Sequence, residues 1–470
     1  MSTAELPASP TSPASPARID RANRRVSLDA TDPAFYQDPY AAYGAIGAAT
    51  PVFYWEELGR WCLTGYEAVN GVFRDKRFGR EILHVATREE VNLPEPPEHV
   101  RPFYAVDDLT MLAREPPAHT RLRALVSRAF VARQIERLRP RVAALANELI
   151  DLFGPAPGGP SLGAGAAAAP RPGEAGAGAT QAGPPGEAGA RAAQAGPPGE
   201  AGAGAAQVRP PGEVDLITAF ATPIPVIVVA ELLGVPIEAA PDLLDWSHRM
   251  VAMYTPGRNR TIEDDAVAAT VEFVAFLRKH VAERRKAPRD DLISHLIAAE
   301  RAGDRLSEDE LIAGCIQLLN AGHEATVHAI GNAVKAMLES GRDPRDLVAS
   351  PEATAATVEE ALRFDPPLHF FDRFALEPVE VAGVRLAKGE KIGLLLGAAN
   401  RDPARWADPD RFDPGRPPLP HIAFGAGIHF CLGAPLARLE MQVALPVLFA
   451  RLPGLRLASP PRYRNSWHFH

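Results

Sequence analysis

Ten residues near the end of the chain, Phe424-Gly-Ala-Gly-Ile-His-Phe-Cys431-Leu-Gly433, determine how the rest of the sequence is interpreted. They place one cysteine between glycines at the predicted start of a helix that runs to about Leu452. The free backbone N–H groups at a helix N-terminus stabilise a thiolate. Glycines let the backbone pass close to a flat ligand, and Phe424 can shield the sulfur from water. The stretch therefore predicts a thiolate ligand at Cys431.

Two other interpretations of these residues are weaker. A lone cysteine at a helix start is often ordinary core packing, but the whole ten-residue context favours a ligand. The glycines do not complete a G-x-G-x-x-G pattern before a helix, so a dinucleotide site is excluded. Cys62 and Cys315 are far apart and belong to no C-x-x-C pair. We expect both to be core residues, with neither a disulfide framework nor a zinc site.

The longest helical pattern begins at Ser307, whose hydroxyl can cap the helix while Glu310 reaches back to it. It continues to about Glu339, and Gly341 stops it. About thirty residues at a rise of 1.5 Å make a helix of roughly 45 Å. We expect this helix to cross the whole molecule.

Other segments alternate helical and strand-like patterns, so the chain is predicted to be mostly helical with small sheets. The predicted helices are His119–Phe130, Gln134–Phe153, Asp264–Arg284, Asp290–Ala302 and a helix from Ser350 to Asp365. The predicted strands are Val379–Val384 and Lys391–Leu396.

Several charged residues have spacings that suit an ion pair or a bound carboxylate. Glu360 and Arg363 are three apart on the helix capped by Ser350, so their side chains share a face. His119 and Arg123 are four apart on another helix and also point the same way. A guanidinium recognises a carboxylate through two parallel N–H groups. Taken singly, each pair could be an ordinary solvated surface pair.

Together these motifs resemble the cytochrome P450 family. The family's cysteine loop matches Phe424 to Gly433, its E-x-x-R matches Glu360 and Arg363, and Arg416 matches the arginine that completes this network. The resemblance implies the family's triangular-prism α+β fold, with haem b between the long central helix and the cysteine loop. A cysteine thiolate on haem iron favours O–O cleavage.

The resemblance also implies which residues contact the haem. Cys431 is the expected axial ligand of the iron, within a loop that includes Phe424 and Gly433. The side chains expected beside the haem carboxylates are His119, Arg123, Arg373 and His429. Bidentate binding of a carboxylate explains the use of arginine at such positions.

Asn320-Ala-Gly-His-Glu-Ala-Thr326 in the long helix resembles the family's oxygen-binding groove, where a widened turn at Ala321 and Gly322 makes room for dioxygen. Glu324 matches the catalytic acid. The usual threonine is replaced by Ala325, followed by Thr326.

Three alternatives follow from this departure. Either Thr326 or a substrate hydroxyl supplies the missing hydrogen bond, protons take another route, or the enzyme uses peroxide directly. The retained acid Glu324 favours the first two. Our hypothesis is that a polar, oxygen-bearing substrate helps to organise the proton relay.

Composition restricts the possible partners and the location. The 58 acidic and 50 basic residues give a net charge of −8, which does not suit nucleic-acid binding. The most apolar stretch, Leu216 to Val235, is interrupted by prolines, so we predict no transmembrane helix and a cytoplasmic protein. We predict a disordered tail over 1–25 and one haem domain over 26–470. Residues 154–213, rich in Gly, Ala and Pro with a repeat every 13 residues, are predicted to be a non-catalytic insertion.

The implied function is insertion of one oxygen atom from O2 into a small organic substrate by hydroxylation or epoxidation. A separate ferredoxin and its reductase would supply the electrons, and Arg121 and Arg128 could help dock that acidic partner. We expect a monomer. The alternatives are a peroxide-driven peroxygenase and a non-catalytic haem-thiolate sensor or binding protein.

Overall fold

Helices dominate the computed structural model, which describes residues 16–129, 132–153, 212–255, 257–301, 306–466 and 468–470. The α-helices in these residues are α1 (Pro33–Tyr36), α2 (Tyr40–Ala49), α3 (Tyr66–Arg74), α4 (Arg101–Asp107), α5 (Ala118–Ala129), α6 (Ala132–Glu136), α7 (Arg139–Phe153), α8 (Pro223–Leu233), α9 (Ala240–Val251), α10 (Arg260–Lys286), α11 (Leu292–Arg301), α12 (Glu308–Glu339), α13 (Pro344–Leu347), α14 (Pro351–Phe364), α15 (Leu396–Ala399) and α16 (Ala434–Arg451). The predicted fold class, mostly helical with small sheets, is confirmed.

The strands form one larger sheet and one hairpin. They are β1 (Arg18–Asp20), β2 (Arg25–Ser27), β3 (Val52–Trp55), β4 (Arg60–Leu63), β5 (Phe78–Gly79), β6 (Phe370–Ala375), β7 (Val379–Val381), β8 (Val384–Leu386) and β9 (Lys391–Leu395). The sheet has the order β1-β2-β3-β4-β9-β6-β5, and β7 pairs with β8. Neighbouring strands are antiparallel except for β2 with β3 and β4 with β9.

The central helix α12 has the predicted start and end. The Ser307 hydroxyl accepts from the N–H of Glu310 at 3.1 Å, and the Glu310 carboxylate accepts from the N–H of Ser307 at 2.8 Å. Its 32 residues span roughly 48 Å at 1.5 Å per residue. The first half packs in one hydrophobic cluster with α9, α10 and α11, and the second half packs in another with α7, α14 and α16. The helix therefore joins the two largest cores.

The tail predicted for residues 1–25 is too long. β1 and β2 pair with Ile19 opposite Val26, and β2 continues the sheet beside β3. Val26 is fully buried, and this apolar contact anchors the hairpin. Residues 1–15 lie outside the described residues.

Two predicted boundaries are wrong, and one, the start of the last helix near Cys431, is confirmed. The helix predicted over Gln134–Phe153 is divided into α6 and α7, because Pro140, which has no N–H to donate, occupies the first turn of α7. The strand predicted over Val379–Val384 is a hairpin that reverses at Ala382 and Gly383, with φ of 49° and 73°. The last helix begins at Ala434, a few residues after Cys431.

Almost all of the predicted insertion, 154–213, lies outside the described residues. Its extent and its lack of a catalytic role stay predictions. Within the described residues, no helix has both the length and the apolar composition needed to cross a membrane.

The predicted network around Glu360 is present and buried. Glu360 accepts two hydrogen bonds of 2.8 Å from Arg363 and one of 3.2 Å from Nε of Arg416. It also accepts from the backbone N–H of Asp413 at 2.8 Å, and Arg363 donates to the carbonyl of Asn400 at 3.0 Å. One carboxylate on α14 thus holds the segment that precedes the Cys431 loop.

Replacing this carboxylate tests its importance. We expect Glu360→Gln to lower the free energy of unfolding by about 3–5 kcal/mol, because two guanidinium groups stay buried without a carboxylate. Glu352→Gln, at an exposed position on the same helix, should change it by less than about 0.5 kcal/mol. Denaturant unfolding of both variants measures the difference, and equal small changes would contradict the structural role given to Glu360.

Candidate functional site

The residues before α16 form a tight loop that presents Cys431. Gly425 and Gly427 have φ of 66° and 70°, values that glycine adopts without strain. A Cβ atom on Gly427 would lie 2.0 Å from the carbonyl oxygen of Phe73, so a larger residue does not fit there. The N–H of Cys431 donates to the carbonyl of Phe424 at 3.0 Å. Local backbone geometry therefore determines where the sulfur lies.

Opposing influences act on the thiol of Cys431. Burial is the largest and raises its pKa. The backbone N–H groups of Gly433 and Ala434 donate to the sulfur and act in the other direction, as do the charges of Arg123 and Arg438. These groups would favour an anionic sulfur, which agrees with the predicted stabilisation at a helix start.

Cys431 differs from the other two cysteines in its exposure. Cys62 and Cys315 are buried, which confirms that they are core residues, whereas Cys431 is exposed. The surrounding protein nevertheless raises the pKa of Cys431 through desolvation. The side chain is thus accessible and still partly shielded from solvent. The ring of Phe424 flanks the loop and lies 4.6 Å from the guanidinium carbon of Arg438.

The predicted basic residues gather beside this loop. The rings of His119 and His429 are 4.5 Å apart, and both nitrogens of buried His119 lack a hydrogen-bond partner. Arg123 is close enough to Cys431 for their charges to interact, and the described residues offer its side chain no hydrogen bond. Arg373 is buried, and among the described residues its side chain donates only to the carbonyl of Asp372, at 2.7 Å. Burial lowers the pKa of Arg373 to about 9.

Sequence reasoning missed two residues of this cluster. The buried carboxylate of Glu115 lies 3.0 Å from Nε2 of His429 and accepts from the backbone N–H of Arg80 at 2.7 Å. The positive charge of Arg80 also acts on Arg373 and His429. Glu115 lies just before α5, so its position near His119 was detectable, but no sequence signal indicated Arg80.

The predicted oxygen-binding residues lie in the middle of α12. Ala321 is exposed within the described residues and Gly322 is half-buried, although the helix continues through both as a regular α-helix. The widened turn expected at these residues is therefore absent. Thr326 is buried, and its hydroxyl donates to the carbonyl of Gly322 at 3.0 Å. The hydroxyl proton of Thr326 is used in this bond to the helix backbone. The hydroxyl oxygen can therefore accept a further hydrogen bond but cannot donate one.

Glu324 is buried in the same part of α12, and its Oε2 atom has no hydrogen-bond partner among the described residues. Burial raises the pKa of this carboxyl, and the positive charge of Arg464 acts in the opposite direction. The closest approach is 3.7 Å, between Nη1 of Arg464 and Oε1 of Glu324.

Comparison with known proteins agrees with the resemblance. The Cytochrome P450 family model matches residues 334–452. The chain is 34% identical over 438 residues to cytochrome P450 107B1 of Saccharopolyspora erythraea, covering 92% of each protein. It is 36% identical over 425 residues to mycinamicin IV hydroxylase/epoxidase of Micromonospora griseorubida, covering 89% of each. The structure of P450BioI with an acyl carrier protein ligated to hexadec-9Z-enoic acid has a TM-score of 0.74 at 30% identity, covering 93% of this chain and 96% of that one.

The chain belongs to the cytochrome P450 family. It is therefore a haem-containing monooxygenase, and the relatives named as hydroxylases or epoxidases argue against the sensor alternative. The residues present fit haem, because His119, Arg123 and Arg373 are basic groups without a carboxylate partner in the described chain. The two haem carboxylates are the partners that such groups lack.

Arg373 provides a test of this fit. In Arg373→Met we expect haem affinity to fall about tenfold or more, since a charge-assisted hydrogen bond is lost. The free energy of unfolding of the haem-free protein should rise, because a buried charge without an ionic partner is removed. Transfer of haem to apomyoglobin and denaturant unfolding measure the two effects. Arg363→Met, which breaks a complete ion pair, should destabilise the haem-free protein. Slower haem loss from Arg373→Met than from the wild type would contradict the assignment.

Proposed function

We propose that Cys431 is the axial ligand of the haem iron in a monooxygenase that hydroxylates or epoxidises a small organic substrate. The observation that carries the proposal is the sulfur itself, which is accessible and accepts hydrogen bonds from the backbone N–H groups of Gly433 and Ala434. When bound, the haem supplies the oxygen chemistry, while the protein orients the substrate and delivers protons.

Each predicted residue then has a task. His119, Arg123, Arg373 and His429 hold the haem carboxylates, and Glu115 orients His429 through their 3.0 Å hydrogen bond. Phe424 and Gly433 enclose the sulfur. Ala321 and Gly322 leave space on the face of α12 that borders the haem. Glu324 holds and transfers a proton, because its Oε2 atom has no hydrogen-bond partner among the described residues and can bind that proton.

The Cys431 assignment has a spectroscopic test. Reduced wild-type protein under carbon monoxide should show a strongly red-shifted Soret band, which thiolate ligation produces. Cys431→Ala should lose that band, because alanine supplies no sulfur. Cys315→Ala, at a buried core position, is the matched control and should keep it. A red-shifted band in Cys431→Ala would refute the proposal.

We further propose that the enzyme uses O2 and receives its electrons from a separate cytoplasmic ferredoxin. The alternative is that hydrogen peroxide supplies both the oxygen atom and the oxidising equivalents. Support comes from the buried acid Glu324, because reduction of O2 consumes protons that a peroxide-driven reaction does not need from a relay. The proposed docking surface of Arg121 and Arg128 gains no support. Arg121 forms an ion pair with Glu310, which offsets its charge, and the side chain of Arg128 lies outside the described residues.

A comparison of two oxidant systems distinguishes these routes. We expect Glu324→Gln to lower substrate turnover with O2, ferredoxin and its reductase by about a hundredfold, the usual contribution of a positioned proton donor. Turnover with hydrogen peroxide should change little. The control is Glu339→Gln, at the exposed end of α12. If the wild type turns over faster with hydrogen peroxide than with O2, ferredoxin and its reductase, and Glu324→Gln lowers neither rate, the peroxygenase alternative is correct.

A further inference from the structure

Arg464 lies in a C-terminal segment, described over residues 463–466 and 468–470, that contacts α12. Its side chain is 65% exposed and lies 3.7 Å from the carboxylate of Glu324. The guanidinium of Arg464 makes no hydrogen bond with any residue that the structure describes. An arginine carries several N–H donors in a fixed planar fork. Most of the binding capacity of Arg464 is therefore unused.

The segment that carries Arg464 is anchored at both ends. The Tyr463 hydroxyl donates to Asp365 at 3.1 Å, and Nδ1 of His470 lies 2.9 Å from the other oxygen of the same carboxylate. The amide of Asn332, on α12, donates to the carbonyl of His470 at 2.9 Å. Both Asp365 and His470 are buried. These contacts determine where Arg464 lies relative to Glu324.

The surroundings of Arg464 contain imidazoles that are uncharged at neutral pH. Burial lowers the pKa of His248 on α9, of His323 to about 4 and of His328 to about 3, and the charge of Arg464 lowers each of them further. The rings of His248 and His323 are 5.3 Å apart. Arg464 is thus a permanent cation beside neutral rings and a single loosely held carboxylate, Glu324.

We propose that Arg464 binds the carboxylate of an organic acid substrate, and that this carboxylate replaces Glu324 as the partner of the guanidinium. A substrate carboxylate can form two parallel hydrogen bonds of about 2.7–2.9 Å with a guanidinium, whereas Glu324 approaches only to 3.7 Å. This inference rests on the proposed function, because it assigns a substrate class to the same site.

The exchange links substrate binding to proton delivery. Without an acidic substrate, the charge of Arg464 stabilises the ionised form of Glu324 and attracts its side chain. A bound carboxylate neutralises Arg464, so Glu324 is released and its pKa rises. Glu324 then holds a proton more readily, at the time when substrate is in place. Arg464 is a substrate-binding residue and, for Glu324, a positioning residue.

Titrations with matched ligands test the anchor. Unbranched carboxylic acids from octanoic to tetradecanoic acid and their methyl esters are added to the haem-bound enzyme, and the low-spin to high-spin shift gives Kd. In the wild type we expect an acid to bind more tightly than its ester. Arg464→Gln should weaken acid binding about ten- to hundredfold, the loss of a charge-assisted pair, and leave the ester unchanged. Arg464→Lys should restore part of the difference.

Arg462→Gln is the matched control, since Arg462 is exposed and lies two positions before Arg464. It should leave acid binding unchanged. Equal losses for acid and ester, no loss in Arg464→Gln, or a wild type that binds no acid in preference to its ester would each overturn the proposal. An intact carbon monoxide band in these proteins shows that the proposed function stands even if the anchor fails.

The pH dependence of turnover tests the link to Glu324. The substrate for this test is a methyl ester. In Arg464→Gln, the part of the pH–rate profile that follows the ionisation of Glu324 should move to higher pH, because the positive charge that lowers the pKa of Glu324 is removed. The control Arg462→Gln should not move it. An unchanged pH–rate profile in Arg464→Gln would contradict the positioning role of Arg464. If Arg464 were only structural, the variant would have lower activity with the same pH–rate profile as the wild type.

Discussion

The position of one sulfur atom at the start of α16 is the constraint on which the rest of the site depends. The loop that carries Cys431 has almost no room for variation, because Gly427 passes against the backbone of Phe73. Its chain neighbours are held by the buried carboxylate of Glu360, which binds two arginines and a backbone N–H. A polar network inside the protein thus maintains a geometry that hydrophobic packing alone would leave less defined.

Buried charges without an ionic partner and buried polar groups without a hydrogen-bond partner are both unusual inside proteins, because each lowers stability. Arg373 is the first kind, and His119, whose pKa burial lowers to about 4, is the second. Arg373 and the unpartnered His119 are therefore best explained as groups arranged for a ligand. His429 differs because Glu115 already pairs with it. The same cluster thus combines residues that await a carboxylate with one residue whose orientation is set by the protein.

The predicted acid depends on α12, which joins the two largest hydrophobic cores and also carries Glu324. Glu324 is buried, and the charge that acts on it is that of Arg464. The C-terminal segment adds Arg464 from a distant part of the sequence. The chemistry of the acid is consequently determined by two elements that are anchored separately, one by core packing and the other by Asp365.

Local sequence was enough to determine the Cys431 loop, the ends of α12 and the E-x-x-R pair. In each case the signal lies within a few residues, as glycine conformation, capping or helical spacing. Arg373 and His429 were expected only from the resemblance to the family. Prediction from local sequence failed mainly where the outcome depends on contacts between distant residues. The β1–β2 hairpin depends on burial of Val26, the regular turn of α12 replaces the expected widened one, and Glu115, Arg80 and Arg464 reach the site only through folding. Burial and long-range contacts, which set charge and pKa, exist only in the tertiary structure.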